Sequence, residues 1–357
     1  MKIAVYAIAL NEEKFAQRWA DSAAEADYRV VADTGSTDGT VALLRHAGVT
    51  VHDIAIKPWR FDHARNASLD LVPQDADICI PLDLDEVLLP GWRQALEAAW
   101  VPGTTRLRYS FVLSWDDKGA PRSFFYARKI HHRHGYIWRH AAHELIYPLP
   151  GVHEEIAWAE TLTIHHLPDK AKPRGQYLDL ITLAMQEDPA DARCAHNYAV
   201  ELMQHRRYAE AILAFDRYLA MPDATSREER AAAMRYLGRC YTKLGQLDAA
   251  GNAYRMACAE APDAREPWYD LGKFCQDRKD WAGGVAAAEA MLNITEWPRE
   301  HVRILKAWGV GPYDFGSICA YHTGQMDLAR EWAEKALELA PDDVRLLKNR
   351  ALIFAKR

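Results

Sequence analysis

A repeated pattern in the second half of the chain restricts its fold more than any other sequence feature. Leu237 and Gly238 recur 34 positions later as Leu271 and Gly272. A period of this length is typical of stacked helical hairpins, because each repeat buries its apolar face only against its neighbours. We therefore predict an all-α array of paired helices, spanning residues 175–357.

The spacing within each repeat is that of the tetratricopeptide repeat, W-x₂-L-G-x₂-Y…A-x₃-F…P. The first full unit continues with Tyr241, Gly245, Ala250, Tyr254, Ala257 and Pro262. Partial units flank it, matching at Tyr208, Ala211, Phe215 and Pro222, and, after an insertion around 295–310, at Phe315, Gly316, Ala329, Ala333, Ala336 and Pro341. The closing prolines end the second helix of each pair. We expect Asp342–Lys356 to cap the stack.

The first half of the chain, up to about residue 170, alternates short apolar runs with helical stretches. The predicted strands and helices follow one another as Ile3–Leu10, Glu12–Ala24, Tyr28–Ala32, Thr37–Ala47, Val49–Ile54, Asp62–Leu71 and Ile78–Leu82. This series predicts a mostly parallel, Rossmann-like α/β sheet. Hairpin-like strands follow at Thr105–Leu113, Ser123–Ile130, Tyr136–Trp138 and Thr161–His165. We predict an α/β domain over residues 1–170.

The composition limits the function classes that remain. Of the 357 residues, 49% are apolar and 26% charged, as in ordinary soluble proteins, and no run approaches the roughly 18 apolar residues of a membrane span. Six cysteines without Cys-x-x-Cys spacing indicate thiols in a reducing cytosol. A net charge of −6 disfavours nucleic acid as the main partner. We expect a cytoplasmic protein whose first residues form a strand, not a signal peptide.

The apolar run Ile78–Leu82 ends in the carboxylates of Asp83, Asp85 and Glu86. Because side chains alternate along a strand, Asp83 and Asp85 should point the same way while Leu84 turns into the fold. Adjacent carboxylates repel unless a cation neutralises them, and divalent cations favour oxygen ligands. The carboxyl ends of strands are also where open α/β sheets bind ligands. The run therefore predicts a metal site.

A second polar segment, Asp33–Thr40, follows the second predicted strand. Gly35 permits a sharp turn, and Ser36 or Thr37 can cap the next helix. Asp33 has no role in such a turn and is placed to accept hydrogen bonds from a nucleobase or ribose. Neither a Gly-x-Gly-x-x-Gly motif nor an ATP-type phosphate loop is present, which disfavours dinucleotide cofactors and ATP.

Four segments in order resemble the signatures of family-2 glycosyltransferases with the GT-A fold. They are Ala9-Leu10-Asn11-Glu12-Glu13, Asp33–Thr40, Phe61-Asp62-His63-Ala64-Arg65-Asn66 and Leu82–Glu86. The resemblance covers about residues 1–170 and implies a GT-A domain there. A GT-A domain followed by helical repeats resembles bacterial transferases that glycosylate peptide side chains, the sublancin-type S-glycosyltransferases among them.

The resemblance implies a nucleotide-sugar site with assigned residues. Those facing the nucleotide and its diphosphate would be Ala9, Asn11, Glu12, Asp33, Arg65 and Asn66. Asp33 would contact the uracil or ribose, Asp83 would approach the ribose or sugar, and Asp85 would hold Mg²⁺ or Mn²⁺. A hard cation and an arginine would stabilise the charge that develops on a diphosphate leaving group.

Eight of the fifteen histidines lie between residues 131 and 166. We interpret the first cluster, His131-His132-Arg133-His134, as a polar surface. The stretch ending in His143-Glu144 resembles a segment of the same transferases, and Glu144 is our candidate general base, because an inverting transfer needs a carboxylate to take the proton of the acceptor. Glu144 could instead orient His143. The remaining candidate bases are Asp116, Asp117, Glu154 and Glu155.

The resemblance also places a histidine on the metal. His166 closes the last predicted strand and matches that position, with His165 as the alternative if the register differs by one. Glu86 could replace Asp85 as the carboxylate ligand. An imidazole beside oxygen donors suits Mn²⁺ better than Mg²⁺.

These observations predict a metal-dependent inverting glycosyltransferase that moves a hexose from a nucleotide-sugar, UDP-glucose or a similar donor, to a peptide or protein. Repeat arrays present concave surfaces for extended ligands, which favours a peptide acceptor. The alternative acceptors are a modified DNA base, to which the basic stretch 128–140 would be suited, and a lipid-linked or envelope glycan. A different class remains open, a repeat-based binding protein whose transferase domain is inactive.

Overall fold

The computed structural model describes residues 1–169, 177–297 and 302–355, and it divides into two compact units, Met1–Pro189 and Ala190–Arg357. The first unit therefore includes one helix beyond residue 170, where the α/β domain was predicted to end. Part of the predicted insertion, residues 298–301, and the predicted cap residue Lys356 lie outside the described residues.

The first unit alternates strands and helices up to residue 81 and then becomes strand-rich. Its elements in chain order are β1 (Ile3–Ala9), α1 (Glu13–Ser22), β2 (Tyr28–Asp33), α2 (Thr40–His46), β3 (Thr50–Asp53), α3 (Phe61–Asp70), β4 (Ile78–Pro81), β5 (Glu86–Leu88), α4 (Trp92–Ala99), β6 (Arg106–Trp115), β7 (Pro121–Ala127), β8 (His131–His132), β9 (Tyr136–Arg139), β10 (Leu145–Pro148), β11 (Ile156–His166) and α5 (Tyr177–Glu187).

The main sheet of this unit is mixed. Strands β3, β2, β1 and β4 lie side by side and parallel, as predicted. The prediction of a mostly parallel sheet is wrong beyond β4, because β8 pairs antiparallel with β4 and with β6, and β7 pairs antiparallel with β6. Strand β11 runs parallel to β6 and antiparallel to β5. A separate two-stranded ribbon is formed by β9 and β10.

The strand order creates a crevice at one edge of the sheet. From β1 the chain proceeds to β2 on one side, and β4 lies on the other side of β1. Such a reversal of strand order opens a crevice at the carboxyl ends of the strands, where α/β sheets bind ligands. Strand β4 is buried along its whole length and ends at Pro81, since proline cannot donate to a further ladder hydrogen bond. Asp33 and Asp83 therefore lie at the same edge.

The second unit consists of helical hairpins. Its elements are α6 (Ala192–Gln204), α7 (Tyr208–Leu219), α8 (Arg227–Lys243), α9 (Leu247–Glu260), α10 (Arg265–Asp277), α11 (Trp281–Asn293), β12 (Arg303–Ile304), α12 (Leu305–Trp308), α13 (Gly311–His322), α14 (Met326–Leu339) and α15 (Val344–Ala355). The pairs α6–α7, α8–α9, α10–α11 and α13–α14 pack as hairpins. Glycines allow close approach, since a Cβ on Gly238 would lie 2.6 Å from the ring of Tyr254.

Each of these four hairpins turns through one residue in the left-handed conformation. Two of the four are glycine, Gly245 at φ 74° and Gly324 at φ 79°, whereas Arg206 and Lys279 both adopt φ 60°. A side chain makes this conformation costly by about 1–2 kcal/mol, while glycine adopts it freely. The turns after α6 and α10 are therefore strained where the other two are not.

We expect Lys279→Gly to raise the free energy of unfolding of the second unit by about 0.5–1 kcal/mol, because strain relief exceeds the added entropy of the unfolded chain. Lys279 is exposed, so little packing is lost. Urea denaturation of the full chain measures the change, and Gly245→Lys should shift stability in the opposite direction. Equal midpoints for the wild type and Lys279→Gly would show that strain relief in this turn does not exceed the added entropy of the unfolded chain.

Candidate functional site

Asp33 has an unused acceptor at the carboxyl end of β2. The expectation that Asp33 has no role in the turn is wrong, because one of its carboxylate oxygens accepts hydrogen bonds from the backbone N–H groups of Gly35 at 3.0 Å and Ser36 at 2.9 Å. The other oxygen, Oδ1, is buried and has no partner among the described residues. Because a buried acceptor without a donor is costly, a ligand N–H or O–H would stabilise this position. Such a donor is what a nucleobase or ribose supplies.

Residues at the end of β1 build the loop beside Asp33. The carbonyl of Ala9 accepts from both the backbone N–H and the hydroxyl of Thr34, each at 2.9 Å. Asn11, at φ 53°, accepts through its side-chain oxygen from the backbone N–H of Thr37 at 2.8 Å. The carbonyl of Glu12 accepts hydrogen bonds from the backbone N–H groups of Phe15 and Ala16 in the first turn of α1. Ala9, Asn11 and Glu12 thus lie at the carboxyl end of β1, where the sequence predicted them, and their hydrogen bonds shape the loop beside Asp33.

Arg65 holds two of the predicted catalytic carboxylates together. Its Nη1 and Nη2 donate to the two oxygens of Asp83 at 2.7 and 3.0 Å, and its Nε donates to Glu144. Burial raises the pKa of Asp83, but Arg65 outweighs it and holds that pKa well below the usual range. The sequence predicted Arg65 to face the diphosphate; in the structure three of its N–H groups are used by Asp83 and Glu144. Its direct role is to position these carboxylates.

The structure does not bring Asn66 to the site, which corrects its predicted role. Its side-chain N–H donates to the carbonyl of Trp138, and its side-chain oxygen accepts from the N–H of the same residue, both at 2.9 Å. Both polar ends of the Asn66 side chain are therefore used by the backbone of β9. These hydrogen bonds link β9 to α3. The ring centroid of Trp138 lies 5.0 Å from the guanidinium of Arg65.

Glu144 lies at the end of a strained loop between β9 and β10. Two residues of this loop, His140 at φ 80° and His143 at φ 52°, are in the left-handed conformation, which is unusual for residues other than glycine. Strain of this kind concentrates at functional sites, where surrounding contacts hold it. The salt bridge to Arg65 is such a contact and fixes the Glu144 carboxylate, which is 10% exposed.

The interpretation of His131–His134 as a polar surface is wrong for His131. This side chain is fully buried, its Nε2 lies 3.1 Å from the hydroxyl of Tyr6, and burial lowers its pKa to about 3. Arg133 is also buried. His131 points inward from β8, and Arg133, which follows the strand, donates to the carbonyl of Val72, and a cluster of polar letters reveals neither.

Asp85 and His166 form a pair that fits a divalent cation. The Nε2 of His166 lies 3.4 Å from Asp85 Oδ2, and its Nδ1 lies 3.2 Å from the carbonyl of Leu113. An Nδ1–H donated to that carbonyl leaves the Nε2 lone pair for a metal, the usual arrangement of metal-binding histidines. Burial lowers the pKa of His166, but its contacts with Asp85 and Glu86 raise that pKa above its usual value.

Strand register decides between the two histidines. In the antiparallel pair of β11 and β5, His166 lies opposite Glu86 and His165 lies opposite Val87. His166 therefore shares a sheet face with Glu86, while His165 points the other way and packs against Trp115 with ring centroids 4.7 Å apart. The structure places His166, and not His165, beside Asp85.

Glu86 and Lys129 form a further ion pair that the sequence did not reveal. Glu86 is buried, accepts from the backbone N–H of Asp83 at 3.1 Å, and lies 3.6 Å from Lys129 Nζ. Burial raises the pKa of Glu86 to about 7, and Lys129 opposes that rise. Glu86 therefore holds the backbone of Asp83 through a hydrogen bond, and it is less available than Asp85 as a metal ligand.

Charge balance at this edge supports a cation at Asp85. Arg65 compensates Asp83 and Glu144, and Lys129 compensates Glu86. Asp85, in contrast, is paired only with an imidazole among the described residues. With Glu86 ionised and His166 neutral, the four carboxylates exceed the two fixed cations by two charges, which one divalent ion would neutralise. Carboxylate and imidazole together suit Mn²⁺.

The other candidate bases lie elsewhere or are used in turns. Asp116 accepts from the backbone N–H groups of Lys118 and Ala120 in the β6–β7 turn. Glu154 pairs with Arg106 at 2.8 Å, at the beginning of β6 and hence at the opposite edge of the sheet. Glu155 also lies at that edge. Asp117 is in the β6–β7 turn, and Glu144 is the candidate that Arg65 holds together with Asp83.

The site and fold define a chain with a mixed α/β unit, which carries a cluster of carboxylates at the carboxyl ends of its strands, followed by a helical unit. Family models described as tetratricopeptide repeat match residues 196–265 and 313–343, which confirms the predicted repeats in those segments. Both matches lie in the second unit. No curated protein matches the chain.

Solved structures similar to this chain include proteins described as tetratricopeptide repeat proteins. One from Parabacteroides merdae is 17% identical at a TM-score of 0.40, covering 51% of this chain and 66% of its own. YrrB, described as having an unusual peptide-binding site, is 16% identical at 0.41, covering 50% and 84%. PilW, a type IV pilus biogenesis factor, is 18% identical at 0.40, covering 49% and 74%. Identities this low bear on fold alone.

No helix within the three described ranges is long and apolar enough to cross a membrane.

Proposed function

We propose that the first unit is a metal-dependent inverting glycosyltransferase of GT-A type, which uses a UDP-hexose and acts in the cytoplasm. The observation that carries the proposal is the cluster of four carboxylates around Arg65 and Lys129, in which Asp85 and His166 remain for a divalent cation. A diphosphate bound to that cation would complete its coordination, because Mg²⁺ and Mn²⁺ sites commonly combine protein carboxylates with substrate phosphates.

The nucleotide would lie across the carboxyl ends of β1 and β2. The unpaired oxygen of Asp33 supports this, since a uracil N–H or ribose O–H would satisfy it. Ala9, Asn11 and Glu12 would form the wall of that pocket. When bound, Mn²⁺ would supply positive charge for the departing UDP.

In the proposed reaction, the Glu144 carboxylate removes the proton from an acceptor thiol or hydroxyl. The acceptor atom forms a bond to the anomeric carbon while the bond from that carbon to the diphosphate oxygen breaks, and UDP leaves. Arg65 supports this step by holding Glu144 and Asp83 on one guanidinium. Asp83, which is 29% exposed, would contact the sugar.

A donor and acceptor assay tests this proposal. The full chain is incubated with Mn²⁺, UDP-hexoses and peptides containing cysteine, serine or threonine, and released UDP and glycosylated peptide are measured. We expect Glu144→Gln to keep the thermal stabilisation by donor and to lose transfer by about a hundredfold or more. Glu155→Gln is the matched control, since Glu155 is exposed and lies at the opposite edge. Transfer by Glu144→Gln at the wild-type rate would remove Glu144 as base.

The tetratricopeptide matches favour a second function, binding of a peptide or protein by the second unit. Repeats of this class present surfaces suited to extended chains. In a transferase this unit would hold the acceptor, whereas in a pure binding protein the first unit would be inactive. Peptide binding without donor stabilisation in the assay above would favour the binding protein. Transfer to duplex DNA or to a lipid-linked sugar, and not to peptides, would favour the other acceptors.

A further inference from the structure

Lys129 is a charged residue of the site that the proposed transfer step does not use. It lies between β7 and β8, its Nζ is 3.6 Å from Glu86 Oε1, and its stem passes the ring of Phe111, with Nζ 5.5 Å from the ring centroid. Its side chain is only 26% exposed, and the Glu86 side chain is 4% exposed. The ammonium of a partly buried lysine is stabilised where a carboxylate compensates it, as Glu86 does here.

The carboxylates that surround Lys129 are those of the candidate metal site. Burial lowers the pKa of Lys129, but Glu86 and Asp83 raise it more, so the ammonium stays charged. Glu86 follows Asp85 directly in the chain and lies opposite His166 across β5 and β11. Without Lys129, the cluster beside Asp85 would lose one positive charge and would attract a divalent cation more strongly.

We propose that Lys129 is a fixed counter-cation that takes up the charge of Glu86, limits the carboxylate cluster to one divalent ion, and keeps that ion weakly held until an anionic co-ligand arrives. The proposal builds on the proposed function, in which the co-ligand is the diphosphate of the donor. Lys129 acts through Glu86 and Asp85 and is a positioning residue. If Lys129 has this role, Mn²⁺ and nucleotide bind cooperatively, and the protein without nucleotide binds Mn²⁺ only weakly.

The charges predict opposite effects for the two members of the pair. Removing the Lys129 charge leaves a more negative cluster, so Mn²⁺ should bind about tenfold more tightly in the absence of nucleotide. Glu86→Gln keeps the size of the side chain but leaves the Lys129 charge uncompensated, so Mn²⁺ should bind about tenfold more weakly. A purely structural role predicts weaker binding for both.

Titration of Mn²⁺ into the full chain, followed by electron paramagnetic resonance of the free ion, tests this proposal. The proteins are the wild type, Lys129→Met, Lys129→Arg and Glu86→Gln, each with and without UDP. We expect affinity without UDP to rank Lys129→Met first, wild type and Lys129→Arg together, and Glu86→Gln last. If Lys129→Met does not fold, the order of the other three decides.

Two results separate this inference from the proposed function. Weaker Mn²⁺ binding in both Lys129→Met and Glu86→Gln, or affinities equal to the wild type, would overturn the counter-cation role even if UDP strengthens binding in the wild type. The expected ranking without any effect of UDP would uphold the charge role of Lys129 while removing the nucleotide from the proposed function.

Discussion

Replacing Arg65 with methionine is expected to lower the free energy of unfolding of the first unit by about 3–5 kcal/mol at pH 7, because the change leaves two carboxylates at low exposure without their cation. Arg65 itself is 8% exposed, and its partners Asp83 and Glu144 are 29% and 10% exposed. Removing one partner of a buried ionic network costs more than the network contributes, since the remaining charges cannot regain water.

The loss should depend on pH in a defined direction. Arg65 depresses the pKa of Asp83, so this carboxylate contributes stability above its unfolded value of about 3.9, and that stability is lost as pH falls through the lower folded value. In Arg65→Met the lowering of the Asp83 pKa by Arg65 is absent, and burial raises that pKa. Asp83 therefore becomes protonated at a higher pH than in the wild type, and protonation removes the uncompensated charge that destabilises the variant. The difference between wild type and variant should therefore narrow from pH 7 to pH 4.

Guanidinium denaturation followed by tryptophan fluorescence at pH 7 and pH 4 measures both effects. Arg45→Met is the control, because Arg45 is 54% exposed and its nearest carboxylate oxygen, on Asp53, is 3.9 Å away; its change should stay within about 0.5 kcal/mol. A loss for Arg65→Met that is below about 1 kcal/mol, or that widens toward pH 4, would show that Arg65 does not hold this network.

Adding one methyl group at Gly272 is the second change with a large expected effect. A Cβ at this position of α10 would lie 2.4 Å from the ring of Phe315 and 3.2 Å from the Cβ of Ala287. Phe315 is 1% exposed in the core of the second unit and has no space to retreat. We expect Gly272→Ala to destabilise this unit by about 1–3 kcal/mol, although alanine is the better helix former.

Gly251→Ala is the matched control for that change. Its added Cβ would lie 3.2 Å from the edge of Phe274, a half-buried ring, so helix propensity should offset the crowding and leave stability within about 1 kcal/mol of the wild type. Differential scanning calorimetry of both variants in the full chain measures the difference. Equal melting temperatures would mean that the repeat does not depend on close packing at Gly272.

Local periodicity made much of the fold predictable. Strands β1 to β4 and the hairpins around Gly238 and Gly272 follow from apolar spacing and turn residues, which act over a few positions. The short elements β5, β8 and β10 were not predicted, and two of them begin with the polar residues Glu86 and His131. The hairpin of β6 and β7 was predicted, whereas the antiparallel pairing of β8 with β4, which makes the sheet mixed, could not be inferred from local sequence.

The site was predictable where chain neighbours define it and unpredictable where distant strands do. Asp33, Asp83 and Asp85 follow strands directly, so their edge of the sheet could be inferred. The bridge from Arg65 to Glu144 spans 79 positions, and the choice of His166 over His165 needs the register of β11 on β5. Lys129 has no motif, since an isolated lysine after a strand resembles any solvated residue.

Calorimetric titration of UDP into the full chain, with and without Mn²⁺, tests most directly whether the carboxylate crevice is a metal-dependent nucleotide site. The wild type should bind UDP with Mn²⁺ at least tenfold more tightly than without it, and Asp85→Asn should lose this dependence while Asp116→Asn, in the β6–β7 turn, keeps it. Equal UDP affinity with and without Mn²⁺, or an unchanged Mn²⁺ effect in Asp85→Asn, would contradict the metal-dependent site.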